Sequence, residues 1–279
     1  MANETTSSTI SELYTEIVAE ALFVASEQSI MRNLVRNYTI VGGGKSVEVP
    51  IYATVSASAV NEATDLSNTA VNPSSVTITA SEVGIMTTLT DLARNSASRN
   101  VAGDIGRLFG EAIAKKMDSD LSALFSGFST ERGGGAGNEL TIQDLFEASA
   151  DLRTANAPAP YYGVFHPKQI FNVKKSLTNT FVGRDTELSN EAMRSGFVGS
   201  IAGIQIFESS NISVDGSDDS IGGVFSQDAL ALAMMQDLKI ESQRDASLRA
   251  DEIVATAVYG VSEIHDSYGV KLTADTLAN

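Results

Sequence analysis

Gly42-Gly43-Gly44-Lys45-Ser46 ends as a phosphate-binding loop does, with a lysine and a hydroxyl after glycine. In such a loop, backbone N–H groups and the lysine cradle a polyphosphate at a helix N-terminus. The pattern also needs glycine at position 39, which is Thr39 here, and the residues from Lys45 onward alternate as a strand does. A flexible strand start explains the segment better than nucleotide binding. The chain has two histidines, His166 and His265, and no cysteine, so a zinc site would have to be built mainly of carboxylates. His166 precedes Pro167 and fits a strand-to-helix turn. His265 beside Asp266 could form a proton-relay pair, yet no serine sits in a Gly-x-Ser-x-Gly elbow to complete it. Asp215-Gly216-Ser217-Asp218-Asp219 could hold calcium but lacks the full loop pattern and the closing glutamate, so it reads as a solvated turn. Arg94, Arg99 and Arg107 could meet acidic neighbours, and Lys115-Lys116 reads as an exposed helix pair. No catalytic residue, cofactor or metal is expected.

The elements around these residues say more. Residues 9–35 read as an amphipathic helix, with Ile10, Leu13, Tyr14, Ile17, Val18, Ala21 and Leu22 at helical spacing. Thr9 and Glu12 have the form of a capping box, and Arg32 and Arg36 fall where a helix dipole favours cations. A membrane-surface helix would want a basic polar face, and this one carries Glu12, Glu16, Glu20 and Glu27. Two alternating stretches follow: residues 45–52 through Val47, Val49 and Ile51, and residues 76–89 through Val76, Ile78, Val83, Ile85 and Leu89. They read as one long ribbon around a Ser/Thr/Ala/Asn-rich tip at residues 53–73. An isolated two-stranded ribbon is marginal in water. With no third strand expected nearby, another copy of the chain is expected to cover it.

Residues 101–128 form the clearest helix, with Val101, Ile105, Leu108, Ala112, Ile113, Met117, Leu121, Leu124 and Phe125 as the apolar stripe. Asn100 is the expected N-cap, and Asp118 is placed off the stripe. At about 1.5 Å per residue such a helix is roughly 40 Å long. Gly103, Gly106 and Gly110 weaken it unless another backbone packs close. Residues 133–137 are glycine-rich and mark a hinge or boundary. Beyond them helices are expected over residues 141–155 and from Pro167, and strands over 161–165, 204–207, 223–225 and 229–234, an α+β pattern.

The chain has 279 residues, 43% of them hydrophobic, with no cysteine or tryptophan, enough for a sizeable core that needs no disulfide. No apolar run approaches the roughly 20 residues of a membrane span, and no secretory signal is read at the N-terminus. The formal charge of −16 disfavours nucleic-acid binding over the general surface, since phosphate contacts need clustered Lys and Arg. If the chain lines a container for DNA, a negative wall would discourage the cargo from sticking.

In this order, an N-terminal segment, a two-stranded projection, a very long helix, a glycine hinge and an α+β domain resemble the Hong Kong 97-type capsid proteins of tailed bacteriophages. Thr87-Thr88-Leu89-Thr90-Asp91-Leu92 looks like that family's exit from the extended loop, and Ala114-Lys115-Lys116-Met117-Asp118-Ser119-Asp120 with Gly127 resembles the end of its spine helix. Val164-Phe165-His166-Pro167 is similar to its strand-to-helix step. The GFVGSIAGIQIFESSNI stretch at residues 196–212 is similar to its Gly-x-aliphatic-Ala-Gly-Ile strand start. The resemblance implies an N-terminal arm at 1–37, an extended loop at 38–97, a spine helix of the peripheral domain at 98–130 and an axial domain at 131–236. A return to the peripheral domain at 237–265 and a C-terminal strand back to the axial domain at 266–279 complete it.

As a major capsid protein, the chain would form hexamers and pentamers of an icosahedral head around double-stranded DNA, without sequence-specific DNA contact. It would work with a portal protein, a separate scaffolding protein and in some relatives a decoration protein, in the virion and, during assembly, in the host cytoplasm. Val47, Val49, Ile51, Ile78 and Ile85 of the ribbon, with Leu13 and Ile17 of the first helix, are the expected inter-subunit contacts. The alternative on the same fold is the shell of an encapsulin-type bacterial nanocompartment. An acidic extracellular filament or an enzyme would be rivals of other classes; the absence of an export signal and the poverty of titratable clusters speak against them.

Overall fold

The computed structural model describes residues 21, 29–41, 44–52, 55, 57, 59–61, 70–96, 101–180 and 199–276. The expected helix at 9–35 lies largely outside them, as do Leu13, Ile17, Gly42, Gly43 and Asn100. At its described end it is replaced by a 3-10 turn at Met31–Asn33 and by strand β1 at Arg36–Thr39. Arg36 is thus a strand residue, and its guanidinium meets Asp228 at 2.5 Å rather than helix carbonyls.

The alternating stretches do not make one ribbon. β2 (Ser46–Tyr52) pairs antiparallel with β3 (Pro73–Thr79), Val47 opposite Ile78 and Val49 opposite Val76. After Ala80 the chain changes sheet. β4 (Ser81–Thr90) pairs with a strand from far along the sequence, and a short helix α1 (Asp91–Ser96) follows it. β4 thus finds its partner far along the same chain, while β2 and β3 remain a sheet of two strands.

The long helix α2 runs over Val101–Ala123, 23 residues or about 35 Å, and tightens into a 3-10 turn at Leu124–Gly127. The expected stripe holds at Ile113, Met117, Leu121 and Phe125, which are buried, but Leu108 is 58% exposed and Phe109 is buried in its place. That side packs on a four-stranded sheet in the order β1-β10-β11-β4, where β10 is Leu230–Asp245 and β11 Ala250–Glu263. Leu232, Leu238, Ile240, Ile253, Ala255, Ala257 and Tyr259 complete this first core. Along β11 the residues facing α2, Ile253, Ala255, Ala257 and Tyr259, are buried, and the alternate residues Val254, Thr256 and Val258 are half-exposed.

A second sheet of six strands has the order β5-β12-β9-β6-β8-β7. Its strands are β5 (Glu131–Arg132), β6 (Tyr161–Phe165), β7 (Ser200–Ile201), β8 (Ile204–Glu208), β9 (Asp219–Ser226) and β12 (Gly269–Asp275). Helices α3 (Ile142–Thr154) and α4 (Pro167–Thr180) cover one face through Leu145, Ala148, Leu152, Ile170 and Val173. α3 starts at Thr141, which forms a capping box with Asp144, and α4 starts at Pro167. The end of α2 covers the other face. Gly223 makes room for it, because a Cβ there would come within 2.6 Å of the Phe125 ring.

The glycine-rich loop is strapped rather than loose. Gly133, Gly135 and Gly137 take positive φ, which only glycine adopts without strain. The Gly137 N–H donates to Asp219 Oδ1 at 2.7 Å, and the Asn138 carbonyl accepts from the Asp275 N–H at 2.8 Å.

Candidate assembly surfaces

The residues that could have done chemistry are occupied by local structure. Ser46 opens a strand, so the glycine-lysine segment does not meet a helix N-terminus. His166 sits in the turn into α4: its carbonyl accepts from the Gln169 and Ile170 N–H groups, and burial holds its ring below the usual imidazole range. The ring of His265 lies 4.7 Å from that of Tyr268, and Asp266 turns away to accept from the N–H of Ser129 at 2.7 Å and from its hydroxyl. Asp215 closes its own turn by accepting from the Ser217 and Asp219 N–H groups at 2.8 and 2.9 Å. No metal-ligating cluster is found among the described residues. No described helix is long and apolar enough to cross a membrane. An open groove of about 310 Å³ between the end of α2 and the Asp215 turn is lined by Ser122, Ser126, Asp215 and Asp219. Those hydroxyls and carboxylates are taken up by Ser119 and Ala123 carbonyls and by backbone N–H groups.

The seven expected contact residues separate into four groups. Val49 and Ile78 are buried in a third core, with Ile40, Ala80, Ala231, Ala233 and Ile264. Val47 and Ile51 are half-buried at the edge of that core. Ile85 lies on β4 opposite Ala255, packed on the first core. The base of the ribbon is therefore covered by its own chain, because β1 and β10 pass beneath it. Leu13 and Ile17 lie outside the described residues. Exposure rises toward the tip: Tyr52 is 66% exposed, and Val55, Val60 and Val71 are also exposed.

Polar anchors join elements distant in sequence, and the sequence pattern had not pointed to them. Arg244, on β10, grips both carboxylate oxygens of Asp91 at 2.8 and 2.6 Å and also meets Asp251 at 3.2 Å, which holds the start of α1 against the β10–β11 end. The Tyr259 hydroxyl donates to Asp120 at 2.8 Å; burial and that carboxylate hold the phenol well above its usual range. Asp118 is 0% exposed in the middle of α2. Its Oδ1 accepts from the Ser29 hydroxyl at 2.8 Å and the Met31 N–H at 3.2 Å, and its Oδ2 from the Ile30 N–H at 3.1 Å. Burial pushes its carboxyl up, against the pull of those hydrogen bonds. One signal was present: Asp118 is one turn from both Ala114 and Leu121, so it shares their face.

The family model described as Phage capsid protein matches residues 73–271, from the first residue of β3 into β12. The chain belongs to the phage capsid protein family. Phage capsid proteins are structural rather than enzymatic. The match favours a phage capsid protein over a nanocompartment shell. Solved phage structures share the fold. The capsid of cyanophage P-SCSP1u is 20% identical with a TM-score of 0.70, and 88% of each chain is covered. That of Ralstonia phage GP4 is 10% identical with a TM-score of 0.71, again over 88% of each chain. A chain of Mycobacterium phage Che8 is 22% identical with a TM-score of 0.67, over 82% of this chain and 84% of that one. No curated protein sequence matches. The capsid protein thus has the α+β, Hong Kong 97-type fold, maintained at 10–22% sequence identity to these structures.

Proposed function

We propose that copies of this chain assemble into hexamers and pentamers that tile the icosahedral head of a tailed phage around double-stranded DNA. In this reading residues 1–37 form the arm, the β2–β3 ribbon the extended loop, α2 with the four-stranded sheet the peripheral domain, and the six-stranded sheet with α3 and α4 the axial domain. The observation that carries it is the gradient along the ribbon, from Val49 and Ile78 buried at the base to exposed Tyr52, Val55 and Val71 at the tip. A subunit that secures the base and leaves Tyr52, Val55 and Val71 exposed beyond it offers a neighbouring copy a surface to cover. At about 25 cal/mol per Å² each tip need contribute only modestly, because a closed shell repeats the contact many times.

The contact set is accordingly shifted outward. Val47 and Ile51 remain in it, with Leu13 and Ile17 of the arm, and Tyr52, Val55 and Val71 join it. Val49, Ile78 and Ile85 serve the subunit's own core. A portal protein, a separate scaffolding protein and a decoration protein are the partners such a head would use, with assembly in the host cytoplasm. The charge of −16 suits a wall that contains DNA without binding it. Negative-stain microscopy of purified protein tests the reading. Closed icosahedral particles are expected from the full chain, and folded subunits without particles from a chain lacking residues 53–72. Normal heads from the deletion would overturn the role of the ribbon.

A further inference from the structure

We propose that the Glu263 and Asp266 side chains form a proton-operated latch at the junction between the two sheets, closed while the pair holds one proton and released when both carboxylates are charged.

The described chain passes between the four-stranded and the six-stranded sheet three times, and the three passages meet in one place. Residues 128–130 lead from the end of α2 into β5, residues 227–229 from β9 into β10, and residues 264–268 from β11 into β12. The Ile264 and His265 N–H groups both donate to the Ala229 carbonyl, at 2.8 and 3.2 Å, which ties the second passage to the third. The N–H and the hydroxyl of Ser129 donate to the two oxygens of Asp266, which ties the first to the third. Glu263, the last residue of β11, hydrogen-bonds Asp266 from the other side of that passage. Gly127 leaves room for it, since a Cβ there would come within 2.8 Å of Glu263 Oε2.

Two carboxyl groups can hydrogen-bond each other only while one carries a proton. With both ionised, the same approach is repulsive. The surroundings do little to relieve that repulsion. The 3-10 turn Leu124–Gly127 and residues 128–130 bring no titratable side chain to the pair. The residues after β11 bring His265 and Tyr268, whose rings pack on each other, and burial holds the imidazole below its usual range. The turn before β10 brings Asp228, which is matched by Arg36 of β1, and Lys271 of β12 is matched by Glu131 at 3.5 Å. Burial, with the neighbouring Asp266 charge, pushes the Glu263 carboxyl up. The latch is therefore fully closed below the ordinary glutamate value and is lost as pH rises through the raised one. Glu263 is half-buried and Asp266 exposed, so the proton can reach the pair from solvent. Phe125, Phe128 and Phe225 keep their ring contacts in either state. The proton thus governs how tightly the passages are held, not whether the two sheets stay joined.

The test follows amide exchange in the full chain and its Glu263→Gln and Glu263→Ala variants from about pH 4.5 to about pH 8. Rates are corrected for the intrinsic pH dependence of exchange. Protection is read at Ser129, Ile264 and His265, with the central amides of the β10–β11 pair as the reference. In the native chain, protection at the three amides should fall about fivefold or more against the reference as pH rises, the effect of one lost hydrogen bond. Glu263→Gln, whose amide can donate to Asp266 at every pH, should keep the low-pH protection throughout. Glu263→Ala should show the high-pH level throughout. A flat native profile would overturn the proposal, and that measurement stands even if a variant does not fold. A Glu263→Gln profile that follows the native one would overturn it too, as would a loss shared equally by the β10–β11 amides. None of these readouts needs particles, so the outcome is independent of whether copies assemble.

Discussion

Gly260 lies against the backbone of Thr79, at the point where the chain leaves the ribbon and enters the four-stranded sheet. A Cβ at 260 would overlap the Thr79 carbonyl oxygen and come within 2.8 Å of its carbon and 3.1 Å of the Ala80 nitrogen. These are backbone atoms with hydrogen-bonded neighbours, so neither side can yield cheaply. Gly260→Ala should lower stability by about 1–3 kcal/mol in a urea melt. A loss within error would show that the crossing is looser than described.

Tyr52 and Val71, near the ribbon tip, touch little of their own subunit. Tyr52→Ser with Val71→Ser should change subunit stability by no more than about 0.5 kcal/mol. Particle yield should nonetheless fall by about tenfold or more, since even ~1.4 kcal/mol lost per contact is a factor of ten. Sedimentation of the assembled fraction measures this, and undiminished yield would remove the tip from the interface.

Tyr259→Phe isolates the hydrogen bond to Asp120. The variant keeps the packed ring and loses one charge-assisted bond, so a cost of about 1.5–3 kcal/mol is expected. Alkaline titration followed by ultraviolet absorbance should show one phenol of the native protein ionising well above the rest, and the variant should lack it.

The pH dependence of Asp118 has a definite sign. Burial raises its pKa in the folded chain above the unfolded value. Its contribution therefore favours the fold fully below the unfolded pKa and is lost as pH rises through the folded pKa. Urea melts of the native protein and Asp118→Asn, from about pH 4 upward, should show the native chain losing ground to the variant through that window. A native chain that gains on the variant as pH rises would contradict the assignment.

Much of the secondary structure was legible because short-range chemistry controls it. The Thr141 cap, the strand at Tyr161–Phe165 and the Pro167 helix start lie where local rules place them. Alternation identifies β4 as a strand but not its partner, since Ile85 facing Ala255 is a relation across 170 positions of sequence. The ribbon seemed uncovered for the same reason: Ala231 and Ala233, which help bury Val49 and Ile78, are too small to announce a core. Asp118 shares the face of Ala114 and Leu121, but the donors that let it be buried there, Ser29, Ile30 and Met31, lie 87 to 89 positions away and no local rule links them to it. Among the expected contact residues, the pattern located apolar side chains correctly, but whether a partner comes from the same chain or a neighbour is a tertiary fact.

β1 imposes an order of events on the newborn chain. Arg36 and Asp228 are 192 positions apart, and Arg36–Thr39 has no sheet to join until residues 231–234 exist. At about 5–20 residues per second, a ribosome takes roughly 10–40 seconds to cover that gap. Throughout that interval the four-stranded sheet cannot be completed, nor can the ribbon base rest on Ala231 and Ala233. The geometry thus works as a clock, and a subunit comes of age only when most of its synthesis is behind it.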